Sequence, residues 1–268
     1  MNALMTDFNG LRAWFDEAET LLEDIVSSQA KVLEETAQLC AATIAGEGLV
    51  HLFGSGHSRI PVEEMFPRYG SFPGFHPIVE LSMTYHTDVV GSNGQRQAMF
   101  IERQPGLAEV ILSNFSFAPS DVMMIFSASG LAAVPVEMAA GARARGLRVV
   151  AVTSVAQSMS SEPEPAVGRR LLDEADLVLD LCSPHADAAV DIPGLEGPVG
   201  PLSTIGAVAI VNAIKSRTAE LLVERGAMPP VISRASAVGE QRSRELFEQA
   251  YREHARRLAR AIDQQGGG

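Results

Sequence analysis

Two short polar loops carry most of the residues that could do chemistry. One is Gly54-Ser55-Gly56-His57-Ser58-Arg59, after the apolar run Leu49 to Phe53. The other is Ser127-Ala128-Ser129-Gly130, after Asp121 to Phe126. Serine hydroxyls supply donors without bulk, and a glycine lets the backbone turn tightly and approach a ligand. Where such a loop opens a helix, the unpaired N–H groups of the first turn add donors for an anion. Ser55, Gly56, Ser58, Ser127, Ser129 and Gly130 therefore predict a grip on a phosphate or on a row of sugar hydroxyls. Arg59 and Arg68 flank the segment after the first loop and could meet phosphate oxygens as a bidentate fork. The competing use of both is an ion pair with Glu63 or Glu64.

The first loop does not make a dinucleotide site. It supplies Gly54 and Gly56 but has Arg59 where the pattern GxGxxG needs its third glycine. No strand ending in an acid follows about twenty residues on. GxxxxGK[ST] is also absent. His57, inside the glycine loop, could shuttle a proton or bond the neighbouring loop. The other histidines are His51, His76, His86, His185 and His254, and no HxxxH or HExxH spacing joins them, so neither a metal nor a cofactor is expected.

Strands alternating with helices must position these loops. Leu49–Phe53, Pro77–Leu81, Asp121–Phe126, Arg148–Thr153 and Asp176–Leu181 are the predicted strands. The predicted helices are IPVEEMFPRY, with Pro61 in its first turn, then Leu107–Asn114, Val134–Arg145, the apolar Ile205–Glu224 and the charged Ser243–Ile262. From Phe8 to Ala45, Leu11, Trp14, Phe15, Leu21, Leu22, Ile25 and Val26 recur at helical spacing, and Gly46 and Gly48 end the pattern. Such alternation gives α/β class: a three-layer α/β/α sandwich with a parallel sheet of about five strands, preceded by amphipathic helices. Residues 1–45 are read as an N-terminal helical segment, 46–232 as the α/β domain, and 233–268 as a C-terminal helix and flexible tail. In open parallel sheets ligands sit beyond the carboxyl ends of the strands, where both Ser/Gly loops fall.

Composition narrows the partners. The chain has 268 residues, 46% hydrophobic and 20% charged, enough for a well-buried core. A net charge of −12 leaves no basic surface for nucleic acid. The N-terminus lacks the basic start and apolar core of a secretory signal, and no apolar run approaches the roughly 18 residues of a membrane span. Two distant cysteines, Cys40 and Cys182, predict no disulfide framework. A cytoplasmic protein with no membrane partner is expected.

The series LFGSGHS, DVMMIFSASGLAAVPVEMAAGARARGLRVVAVTS and ADLVLDL resembles the sugar isomerase (SIS) domain, a phosphosugar-binding module of ketose–aldose isomerases, related lyases and sugar-sensing regulators. GRRLLDEADLVLDLCSPHADAAVDIPGLEGPVGPLSTIGAVAIVNAI and ELLVERGAMPPV resemble a bacterial subgroup of that family, so the likeness runs from Leu49 to Val231. The resemblance implies an aldose–ketose sugar-phosphate isomerase working through an enediol. A glutamate is the base: neighbouring helix residues point about 100° apart, so only one of Glu63 and Glu64 would face the site, and the resemblance, by alignment of the loop glycines, implies Glu64. His57 would assist ring opening. Ser203 and Thr204, in GPLSTIG, could add hydroxyls from a third loop or cap the following helix. One departure stands out: family loops commonly read SxSGxT, and here Ala132 replaces the threonine. The alternatives are a non-catalytic sugar-phosphate sensor and a lyase or deaminase on the same scaffold. The apolar stripe of the N-terminal helix packs on the sheet or on another subunit, and a homodimer or a tetramer is expected.

Overall fold

The structure, a computed structural model, describes residues 9–84 and 94–262, which leaves His86 outside it. The predicted amphipathic start is one helix, α1 (Asn9–Ala45). Ala18, Leu21 and Ile25 near its start, and Ala37, Ala41 and Ile44 near its end, recur at spacings of three or four residues and are buried, while Leu11 and Phe15 remain exposed. The helix ends in a turn in which Glu47, between two glycines, takes a left-handed φ of 67°. Gly46 and Gly48 return their N–H groups to the carbonyls of Ala42 and Thr43, at 3.0 and 2.9 Å.

Five strands follow: β1 (Val50–Gly54), β2 (Phe75–Ile78), β3 (Val122–Phe126), β4 (Arg148–Thr153) and β5 (Leu177–Asp180). They form a single parallel sheet in the order β2-β1-β3-β4-β5. Alternation along the central strands divides the core. Val50, Leu52, Val122, Met124, Phe126, Val150 and Val152 face one apolar cluster, and Phe53, Met123, Ile125, Val149 and Ala151 face the other. Each fully buried side chain of this size contributes about 1.5–3 kcal/mol. The strand predicted at Pro77–Leu81 lies earlier, at Phe75–Ile78, in the Gly- and Pro-rich stretch SFPGFHP. It survives there because β2 is an edge strand, where the missing N–H of Pro77 costs no inner ladder bond.

The helices are α2 (Ile60–Met65), α3 (Gly94–Ile101), α4 (Leu107–Leu112), α5 (Ala133–Ala144), α6 (Val155–Met159), α7 (Ser203–Glu224), α8 (Ala235–Val238) and α9 (Glu240–Ile262). α1 and α7 pack together on the first cluster, and α4 and α5 on the second. α2 is shorter than predicted because Phe66 precedes Pro67, and a residue before proline is pushed out of the helical region. The C-terminal helix is tied back to the α1–β1 corner. The buried Arg257 guanidinium donates to the carbonyls of Ile44 and Gly48 at 2.9 Å each and to Glu253 at 2.8 Å. Among the described residues no helix is long and apolar enough to cross a membrane.

Three histidines group on the β2 side of the sheet, His51 and His76 buried and His254 half-buried. His51 lies with Nε2 3.3 Å from Asp121 Oδ2, and the His76 ring sits between those of His51 and His254 at 5.5 and 5.6 Å. Burial, then the charges of His51 and His254, push His76 down to about 3, against the opposing pull of Asp121.

Candidate functional site

Both Ser/Gly loops end at the carboxyl edge of the sheet, on the adjacent strands β1 and β3. The first is a short 3₁₀ turn, Gly56–Arg59. It closes so tightly that a Cβ on Gly54 would overlap the Ser58 carbonyl, which makes glycine obligatory there. The second is fixed by its carbonyls. Ala128 accepts the Ser154 N–H at 2.9 Å and Gly130 accepts the Leu171 N–H at 2.8 Å. Gly130 has φ +62°, and a Cβ on it would stand 2.9 Å from Thr153 Oγ1. Ser127 Oγ accepts the Gly130 N–H at 3.2 Å, which leaves its own proton for a ligand. Among the described residues the N–H groups of Ala128 and Ser129 meet no acceptor. A hydroxyl beside two unpaired amides makes a concavity suited to an anion.

Between the loops lies a cavity of about 250 Å³. Ser55, Gly56, His57, Ser58, Ser127, Ser129, Ser203 and Thr204 all line it, so the structure brings together eight of the predicted site residues from three separate loops. Arg59, Gly130 and Glu64 are not among its lining residues. Arg59 lies 3.4 Å from Glu63, the ion-pair use of this arginine. Gly130 instead shapes the loop behind Ser127 and Ser129.

Glu64 differs from its predicted place for a geometric reason. α2 lies against α7, and this side of α2 faces that helix rather than the cavity. Glu64 Oε1 accepts Asn212 Nδ2 at 2.9 Å, Oε2 pairs with Arg68, and the Lys215 ammonium donates to the Glu64 carbonyl at 2.8 Å. Burial would raise this carboxyl, but the bonds from Asn212 and Arg68 and the charges of Arg68 and Lys215 hold it below its usual range. Glu63 is exposed beside Arg59, so neither glutamate of α2 lines the cavity.

The carboxylate that does line it is Glu102, just past the end of α3. Its backbone carbonyl accepts the Val134 N–H at 2.9 Å, anchoring it to the first turn of α5. The buried Ser55 hydroxyl donates to Glu102 Oε2 at 2.6 Å. Burial raises this carboxyl above the ordinary range, against the smaller lowering effects of the Ser55 bond and the Arg103 charge. Nothing in the local sequence FIERQPG marks Glu102, because no serine stands in it and its one glycine, Gly106, comes four residues later. Asp187 and Gln157 also line the cavity. Asp187 follows β5, so the rule that singled out the loops after β1 and β3 could have found it. His76 and His185 do not line the cavity. Among the described residues no group of three or more His, Cys, Asp or Glu side chains is arranged to hold a metal ion.

Ser203 and Thr204 sit at the start of α7, where the predicted choice was between capping and ligand contact. The cap comes from farther away. Asp187 Oδ1 accepts the Ser203 N–H at 2.8 Å, and Oδ2 accepts the Ser203 hydroxyl at 2.6 Å. The Ser203 proton is therefore committed, whereas Thr204 lines the cavity beside it.

A family model described as the SIS domain matches residues 13–154. A UPF0309 protein of Streptomyces griseus subsp. griseus is 32% identical over 235 residues, spanning 88% of this chain and 92% of that one. A UPF0309 protein of Thermoanaerobacter pseudethanolicus is 30% identical over 253 residues, spanning 92% of this chain and 100% of that one. Among solved structures, a phosphoheptose isomerase from Francisella tularensis superposes with a TM-score of 0.51 over 80% of this chain and 98% of that chain. At 12% identity that likeness is one of fold. With the five-stranded parallel sheet and the paired Ser/Gly loops at its carboxyl edge, these matches establish that the chain belongs to the SIS domain family and, within it, to the UPF0309 proteins.

Proposed function

We propose that the cavity binds a phosphorylated sugar and interconverts its aldose and ketose forms, with the Glu102 carboxylate as the base. Ser127, Ser129 and the unpaired N–H groups of Ala128 and Ser129 hold the phosphate. Glu102 removes the proton from C2 of the open-chain aldose and returns it to C1, while the hydroxyl proton passes from O2 to O1 through the enediol. His57, at the mouth of the cavity, donates to the ring oxygen as the ring opens.

One observation carries this reading. Among the described residues two carboxylates line the cavity: Asp187 is committed to the start of α7, whereas Glu102 bonds Ser55 and has a raised pKa. Burial that raises a carboxyl toward neutrality makes it a better general base for a carbon acid. The reading differs from the sequence expectation in which glutamate moves the proton, since Glu64 has its oxygens engaged outside the cavity. The test is incubation of the protein with a panel of aldose and ketose phosphates in deuterated water, followed by mass spectrometry. Deuterium incorporation at C1 or C2 of one of them is expected. Binding of a sugar phosphate with no incorporation from any compound would overturn the isomerase and leave a sensor.

A further inference from the structure

We infer that Asp187 determines specificity: it fills the anion-accepting end of α7 inside the cavity, so the site takes a sugar bearing one phosphate and rejects one bearing a second. The inference rests on the phosphosugar reading and deepens it. A long helix that begins in a ligand cavity normally offers unpaired N–H groups to an anion. Here the first such groups are already taken. Asp187 Oδ1 accepts the N–H groups of Ser203 at 2.8 Å and Leu202 at 3.3 Å, and Oδ2 accepts the Ser203 hydroxyl at 2.6 Å. Asp187 reaches them across a loop with φ of 51°, a left-handed conformation that aspartate tolerates and glycine adopts freely.

The chemistry of the wall agrees. Asp187 and Glu102 both line the cavity, and no lysine or arginine does so among the described residues. Gln157 lines it as well, and its side-chain oxygen is buried without a hydrogen-bond partner. These three side chains bring acceptor oxygens to the cavity, which suit hydroxyl or ammonium groups, while the Ser127–Gly130 loop presents donors. A second phosphate at the α7 end would face a carboxylate in a partly desolvated site, where like charges strongly disfavour association.

The test compares fructose 6-phosphate with fructose 1,6-bisphosphate by calorimetric titration of the full chain, and soaks crystals in inorganic phosphate. The bisphosphate is expected to bind the wild type at least about tenfold more weakly than the monophosphate. Asp187→Gly suits the local backbone and Asp187→Asn keeps an oxygen toward the Ser203 N–H. Asp187→Gly, which frees the N–H groups of Leu202 and Ser203, is expected to erase most of that difference, and Asp187→Asn, which removes only the charge, to lessen it. In the soaks, phosphate is expected on the Ser127–Gly130 loop of the wild type, and also at Leu202 and Ser203 in Asp187→Gly. Equal binding of the two sugars by the wild type, or undiminished discrimination in a folded Asp187→Gly variant, would overturn the inference while leaving the phosphosugar reading intact. Absence of both sugars and of phosphate from the Ser127–Gly130 loop would overturn the phosphosugar reading itself, and this inference with it.

Discussion

Glu64 and Glu102 both lie close to the first Ser/Gly loop, one along the chain and one in space, yet their surroundings push them in opposite directions. Glu64 is held by Asn212 and Arg68 and sits below the usual carboxylate range. Glu102 is half-buried with the Ser55 hydroxyl on one oxygen and sits above it. The first arrangement stabilises a charge that the fold uses, and the second keeps a charge costly and available. A carboxylate's role is thus set by which neighbours meet its oxygens, not by its distance in sequence from a glycine loop.

The largest effect that separates them is on turnover. Glu102→Gln is expected to slow proton exchange by about 100- to 10,000-fold, the usual contribution of a general base, whereas Glu64→Gln stays within about threefold. Exchange kinetics of the two variants side by side would break the comparison if the losses were reversed.

Stability should separate them with opposite signs. The Glu64 pKa is lowered on folding, so its contribution is present above its unfolded pKa and is lost as pH falls through the folded value. Glu64→Gln is therefore expected to destabilise the protein at pH 7 by about 1–3 kcal/mol, the cost of breaking hydrogen bonds to a charged group. The Glu102 pKa is raised, so its favourable contribution is present below the unfolded pKa and is lost as pH rises through the folded value. At pH 7 Glu102→Gln should be neutral or stabilising. Denaturant titrations of both variants check this.

How much of this the sequence could show depended on whether a signal was local. Strands β1, β3 and β4 were legible because each is a run of apolar residues ended by a polar loop, and the long helices because their apolar residues recur every three or four positions. Six of the cavity-lining residues, Ser55, Gly56, His57, Ser58, Ser127 and Ser129, were legible for the same reason: loops that follow strands in a parallel sheet converge on one edge. Glu102 was not, because its place depends on how α3 docks beside the first loop, and no residue near it in the chain records that docking. Glu64 misled for the complementary reason. Its position in the chain suited the site, but its direction was decided by Asn212 and Lys215, which lie far away on α7.

Smaller effects sharpen the contrast further. Ser127→Ala should weaken sugar-phosphate binding by about tenfold, the loss of one hydrogen bond to a charged group, with little change in kcat. Ser55→Ala removes a bond that lowers the Glu102 pKa, so the acid limb of the exchange rate should move to higher pH, and a shift the other way would contradict the role of Ser55. Smallest is Ala132→Thr, which restores the hydroxyl common in the family loop. Ala132 is the N-cap of α5 and makes no side-chain cap bond, so threonine should add roughly 1 kcal/mol of stability, read from the unfolding midpoint.

The most direct test is a crystal structure of Glu102→Gln with the sugar phosphate that the wild type exchanges. The account predicts the phosphate on Ser127, Ser129 and the adjoining N–H groups, with C1 and C2 within roughly 3.5 Å of the side chain at position 102. Reacting carbons turned away from that position, or a sugar seated against Glu64, would contradict it.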